Sequence, residues 1–207
     1  MRYAAGLAHL AAVDADFARV LPRLGELPER RLPTGLPGLL RVIVGQQVSV
    51  HAARAIWERL QARVAAPADA CAWLALDPGA LRDCGLSRQK VASVTAVAQA
   101  VAGGALDLDA LAAAPDDDAV AALVVLRGVG RWTAENYLIF ALDRPDLWPA
   151  HDLALAEAVR RLRRLPERPG WRALDAQAEA WRPWRGVAAR ALWRYYALSA
   201  QPGWEAL

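Results

Sequence analysis

The 207-residue chain holds one lysine, Lys90, among 25 basic residues, so nearly every other cation is an arginine. Mechanisms that need a nucleophilic amine therefore have a single side chain to draw on. Cysteine is almost as scarce. Cys71 and Cys84 are too few for a disulfide framework, a cysteine-rich zinc site or an iron–sulfur cluster held by four thiolates. Both are expected to be ordinary buried thiols. No apolar run reaches the roughly 20 residues of a membrane span, and the N-terminal MRYAAGLAHLAAVDADF is broken by His9 and Asp14. A soluble cytoplasmic protein is expected. No stretch alternates apolar and polar residues for long enough to build a sheet, and neither a tandem repeat nor a Gly/Ser linker separates independent units.

What is present is helical. A hydrophobic fraction of 56% with 23% charged residues is that of a compact globule. The net charge of +3 permits an anionic partner without requiring one. Apolar residues recur at helical spacing from Leu36 to Leu60, with a break at Gly45 to Ser49. Further helices are predicted over Asp69 to Ala75, Gly79 to Cys84, Ser87 to Ala102, Leu108 to Ala112, Asp116 to Leu126, Arg131 to Leu142 and Leu153 to Leu165. A last one covers Ala173 to Ala200, broken near Pro183. The fold class is all-α. The basic run VRRLRRL, with Arg160 to Arg164, reads first as a solvated helix face and only second as a phosphate site.

Arg127-Gly128-Val129-Gly130 joins two of these helices. Two glycines in three positions allow a turn closed to residues with a β-carbon, and leave bare the backbone N–H groups that open the second helix. Those donors, at the positive end of a helix dipole, suit a DNA phosphate and read no sequence. Val129 is expected to pack inward. A plain hairpin of two helices also explains the bare Gly-Val-Gly pattern.

The longer string LRGVGRWTA resembles the helix-hairpin-helix element. Together with a downstream aspartate it is similar to the helix-hairpin-helix/Gly-Pro-Asp superfamily of DNA glycosylases. GRWTA, IVGQQVSVHAARAIW, GLSRQK and WRPWRGVAARALWRY resemble the AlkA-like, 3-methyladenine DNA glycosylase II branch, over most of the chain from about Leu36. The resemblance implies two helical subdomains flanking a DNA-binding cleft within one glycosylase domain. One would comprise residues 1–35 with 153–207, the other residues 36–152 with the hairpin at 116–142. It implies double-stranded DNA containing damaged bases as the partner, a monomer, no membrane association and base excision repair as the setting.

Asp152 precedes LALAEAVRRL, where an aspartate makes a good helix N-cap, and capping alone would explain it. The resemblance makes it the catalytic carboxylate, stabilising positive charge on the sugar or orienting a water as the base leaves. Pro149 is kept from the family's Gly/Pro, but His151 directly precedes the acid. His151 reads as a loop or capping residue before it reads as a proton donor. Relatives that also cut the backbone carry a lysine early in the second hairpin helix. Trp132 stands there instead, so a monofunctional glycosylase of alkylated purines, of the 3-methyladenine and 7-methylguanine type, is expected.

Trp132 and Trp193 match base-pocket positions, and an indole face favours a cationic base. Both also read as core tryptophans. Asn136, one turn after Trp132, joins the pocket where some relatives have tyrosine, while Tyr137 points elsewhere. The resemblance assigns DNA contact to Gly128, Gly130, Arg131, Thr133, Gln46, Gln47 and Ser49, with Gln47 as the wedge that fills the stack after base flipping. Gln46 and Gln47 also read as plain connectors. No cofactor is implied beyond a Na+ or K+ ion on the carbonyls of Val124, Leu126 and Val129. A non-catalytic DNA-binding module, a glycosylase/lyase and a glycosylase for oxidised or mismatched bases stay open as alternatives.

Overall fold

The computed structural model describes residues 3–29, 31–201 and 204, and among these the chain is all-α. It divides into two compact units. Unit 1 comprises Met1–Arg30 and Arg144–Leu207, and unit 2 comprises Arg31–Asp143.

Unit 1 contains α1 (Ala4–Val13), α2 (Ala15–Leu24), α11 (Leu153–Leu162), α12 (Trp171–Ala178), a 3-10 turn (Glu179–Trp181) and α13 (Arg185–Ser199). α13 packs against α11, α2 and α1. Its core joins Leu10, Phe17, Leu24, Trp148, Leu155, Val159, Trp181 and Leu192. Trp181 is central there, edge-on to Phe17 and to Trp148 with ring centroids 5.2 Å apart in each pair. The boundary at 143/144 falls nine residues before the expected 152/153. Trp148 and Ala150 are the reason, because they belong to the unit 1 core and bring Asp152 with them.

α1 and α2 were not separate expectations, and Asp14 explains both their division and their anchoring. Its Oδ1 accepts the Asp16 and Phe17 amides, capping α2. Its Oδ2 accepts Arg163 Nη2 at 2.7 Å and Trp181 Nε1 at 2.9 Å. Asp14→Asn keeps the cap but loses the anion facing Arg163. The expected loss is about 1–3 kcal/mol, the scale of a charge-assisted bond, read as a lower urea midpoint. An unchanged midpoint would remove Asp14 from the framework of this unit. The rest of the basic run is also consumed locally. Glu157 takes both Arg160 and Arg161 at 2.8 Å, and these bonds hold its carboxyl at about 2.

Unit 2 contains α3 (Gly35–Gly45), α4 (Val50–Arg63), α5 (Ala70–Leu74), α6 (Pro78–Asp83), α7 (Arg88–Ala102), α8 (Leu108–Ala113), α9 (Asp116–Val124) and α10 (Arg131–Ala141). α3 is its hub, packed against α4, α7, α8 and α10. The break expected at Gly45 to Ser49 is there, with Ser49 Oγ accepting the Ala52 amide to start α4. α9 stops two residues before the expected Leu126. Cys84 is buried as expected, but Cys71 is exposed. The short α5 turns Ala70 and Trp73 inward, three residues apart, which leaves Cys71 on the outer face.

Candidate active site

Asp152 lies at the end of the loop 144–151, and three features fix that loop inside unit 1. Asp146 takes Arg182 Nη1 at 2.8 Å and Arg185 Nε at 3.0 Å. The Pro145 carbonyl takes the Gly186 amide at 2.7 Å, and a β-carbon on Gly186 would sit 2.8 Å from the Arg144 carbonyl. Trp148 is buried in the core beside Trp181. Then the Asp152 amide closes a tight turn onto the Pro149 carbonyl at 2.9 Å. The proline kept from the Gly/Pro pattern thus starts the turn that presents the acid.

The carboxylate is 8% exposed. Its Oδ1 accepts the Leu155 amide at 2.9 Å, the expected cap of α11, and the Trp193 indole N–H at 3.3 Å. Both contacts favour the anionic form. Capping alone does not mark this acid, since Asp14, Asp69, Asp77 and Asp107 also cap helices. Asp14 is the instructive twin. It too caps a helix and accepts an indole N–H, but Arg163 at 2.7 Å neutralises it, which makes it a structural acid.

Trp193 is half-buried against the unit 1 core, so the structure brings it to Asp152 as both a core and a site residue. His151 is exposed and lies over Trp171, ring centroids 5.2 Å apart, with Arg172 on the same indole at 4.6 Å. That stacking agrees with the loop reading of His151.

In unit 2, α9 and α10 meet at the hairpin. Val129 is buried as expected. Only one of the two glycines needs its freedom, which corrects the sequence-based reading. Gly128 has φ +79°, in the left-handed region, and Ser93 of α7 packs directly beneath it. Gly130 has an ordinary extended backbone, φ −85° and ψ 171°, with open space where a β-carbon would lie. Having no side chain, it leaves the start of α10 without a side-chain cap.

The other hairpin residues differ from simple phosphate-facing groups. Thr133 is buried, and its Oγ1 accepts Gln46 Nε2 at 2.8 Å. Arg131 is exposed, but its Nε donates to the buried Glu135 carboxylate at 2.8 Å. Trp132 is half-buried, and Asn136 is buried with one amide hydrogen given to the Trp132 carbonyl at 2.8 Å. Tyr137 is wholly buried on the other side of the helix, against Gly38. In the α3–α4 turn, Gln47, Val48 and Ser49 are exposed, and Gln47 adopts φ +54°, a costly conformation for a residue with a β-carbon.

Residues 40–184 match the model of the HhH-GPD superfamily base excision DNA repair proteins, 145 of 207 residues. The chain belongs to this superfamily. It is 30% identical over 195 residues to DNA-3-methyladenine glycosylase 1 of Schizosaccharomyces pombe, spanning 90% of this chain and 84% of that one. A solved S. pombe 3-methyladenine DNA glycosylase in complex with abasic DNA superposes with TM-score 0.85 at 27% identity. That match covers 95% of this chain and 97% of the other. A DNA-3-methyladenine glycosidase from Bacillus halodurans superposes with TM-score 0.83 at 28% identity, covering 95% and 91%. This HhH-GPD chain also holds functional groups that sequence reasoning passed over. Asp146, Arg185 and Gly186 hold the loop of Asp152, and the only available signal was their place in WRPWRG and DLWPAHD. Lys90, read from the sequence only as a missing nucleophile, donates to the Val44 and Gln46 carbonyls at 2.7 Å each.

Proposed function

We propose that this HhH-GPD protein is a monofunctional DNA glycosylase that removes alkylated purines, of the 3-methyladenine and 7-methylguanine type, from double-stranded DNA. The observation that carries the reading is Asp152: buried, capping α11, in contact with the Trp193 indole N–H, and not consumed by an arginine as Asp14 is.

In this reading the target nucleotide leaves the stack and its base meets the indole faces of Trp132 and Trp193, with Asn136 beside Trp132. The C1′–N bond then breaks with its electron pair going to the base. An alkylated purine that already carries positive charge departs neutral, so no strong general acid is required and His151 has no proton to supply. Positive charge grows on the sugar ring, and the Asp152 carboxylate stabilises it. Water adds to C1′, its proton passing to the carboxylate or to solvent, and an abasic site remains.

Gly130 and the opening amides of α10 meet a phosphate, with the Nη groups of Arg131 beside them. Gln47, exposed at the tip of its turn, fills the gap in the stack, with Ser49 next to it. The hairpin carbonyls of Val124, Leu126 and Val129 fit a hard monovalent cation. They are oxygen donors at a helix end whose last carbonyls lack helical partners, although Leu126 also accepts the Val129 amide. Such an ion supplies positive charge for the DNA backbone and takes no part in bond cleavage. One protein molecule acts on one lesion.

Backbone cleavage through a Schiff base is disfavoured by the position of the one lysine, whose ammonium is engaged by two main-chain carbonyls in unit 2. Incubation with a methylated duplex is expected to release free 3-methyladenine or 7-methylguanine and leave the strand intact until alkali is added. Nicking without alkali, or a borohydride-trapped adduct, would overturn the monofunctional assignment. Binding without any base release would make the chain a DNA-binding module.

A further inference from the structure

Lys90 stands at the third position of α7, after the cap Ser87, whose Oγ accepts the Lys90 amide. A cation in the first turn of a helix opposes the dipole and helps that helix in no way. Burial moreover pulls its pKa below the usual lysine value. A locally unfavourable choice of this kind has a cause elsewhere in the fold. The cause here is the end of α3. The final carbonyls of a helix lack intrahelical donors and carry partial negative charge. The Lys90 ammonium takes the Val44 carbonyl, in the last turn of α3, and the Gln46 carbonyl just beyond it.

The Gln46 carbonyl belongs to the same peptide plane as the Gln47 amide. Holding that oxygen fixes the plane about which Gln47 turns into φ +54°. Strain of this sort persists only where neighbours over-determine it. The Gln46 side chain then runs the other way. Its Nε2 donates to the Gly128 carbonyl at 3.0 Å and to Thr133 Oγ1 at 2.8 Å, one contact on the hairpin turn and one on the first turn of α10. One turn along α7 from Lys90, Ser93 packs under Gly128. A single face at the start of α7 therefore supports both turns, and Gln46 joins them.

We propose that Lys90 and Gln46 are positioning residues that form a brace, making the Gln46–Ser49 turn and the Gly128–Thr133 hairpin one rigid body. This rests on the glycosylase reading, in which the turn enters the base stack and the hairpin holds the phosphate backbone. The brace lets the grip on the backbone resist the force of inserting Gln47. Without it, duplex is still bound, but the lesion is everted less often. The brace therefore acts on the rate of base release more than on affinity.

The test pairs a functional and a structural readout on the full chain. Lys90→Met preserves length and removes the donors, and Gln46→Ala removes only the link to the hairpin. Each is expected to lower single-turnover base release from a methylated duplex by roughly 10- to 100-fold, the scale of one lost charge-assisted contact. Affinity for undamaged duplex stays within about threefold. Because both act through one brace, the double variant is no worse than the poorer single variant. Lys90→Arg, which keeps charge and donors, restores release to within about fivefold of the parent.

Amide hydrogen exchange without DNA reads the brace directly. Lys90→Met should accelerate exchange at residues 127–133 as well as at 45–49. Should that variant not fold, Gln46→Ala gives the same readout from a partly exposed side chain. Unchanged exchange at 127–133 in a folded variant would overturn the brace, and so would multiplicative losses in the double variant. A parent protein that releases no alkylated base sinks the glycosylase reading, while the exchange measurement still decides the brace.

Discussion

Asp152→Asn is expected to abolish most base release, by roughly 10²- to 10³-fold, while leaving the fold and duplex binding in place. The substitution isolates charge from structure because the aspartate has two duties. Its Oδ1 caps α11 through the Leu155 amide, and asparagine caps a helix about as well as aspartate. An amide oxygen also still accepts the Trp193 N–H. What asparagine cannot supply is a full negative charge beside a sugar that is becoming positive, and a low-dielectric setting magnifies that difference. Asp152→Ala should lose the activity and, with the cap gone, about 1 kcal/mol of stability as well. Circular dichroism melts, binding to an abasic-site duplex and base release, measured on the parent and both variants, separate the two duties. Full activity in Asp152→Asn would sink the assigned chemistry; lost activity with a melt as low as that of Asp152→Ala would mean that the residue serves the fold.

The reasons this acid was legible in the sequence, and its supports were not, are physical. Capping is local: an aspartate followed by an amphipathic run places its own carboxylate at a helix start, and the prediction needs nothing distant. The same local logic found the break at Gly45 to Ser49 and the buried Val129. It did not find Lys90. The carbonyls it holds are 44 and 46 residues away, and a lysine in the first turn of a helix looks like a neutral surface choice until α3 is packed against α7. Asp14 was legible only as a charge that interrupts an apolar patch, because its partners Arg163 and Trp181 come from the far end of the chain. The unit boundary shifted for the same reason. Trp148 commits the loop 144–151 to the unit 1 core through a contact with Trp181 that no local pattern reveals. Burial of Asn136 and Thr133 follows from periodicity, but their bonds to the Trp132 carbonyl and to Gln46 depend on rotamers fixed by packing.

The two hairpin glycines look equivalent in sequence and should respond to alanine in opposite ways. At Gly128 the backbone is left-handed, which costs an alanine about 1–2 kcal/mol. The new β-carbon would also fall 1.9 Å from Ser93 Oγ and 2.6 Å from Ser93 Cβ, and α7 cannot yield without shifting the support under both turns. Forced repacking of that kind adds about 1–3 kcal/mol. Gly128→Ala should therefore lose roughly 2–5 kcal/mol in chemical denaturation. Adding Ser93→Gly removes both clashing atoms and should recover the steric part, but not the backbone part, less about 1 kcal/mol for glycine inside α7. At Gly130 the backbone is ordinary and the space is open, so alanine should leave stability within about 0.5 kcal/mol. Its methyl group would instead stand where a phosphate must approach the amides that open α10. Duplex affinity should then fall for Gly130→Ala in a protein whose melt is unchanged. If Gly130→Ala bound duplex as tightly as the parent, the open start of α10 would not be the phosphate contact. If Gly128→Ala melted like the parent, the hairpin would tolerate a geometry other than the one that Ser93 imposes.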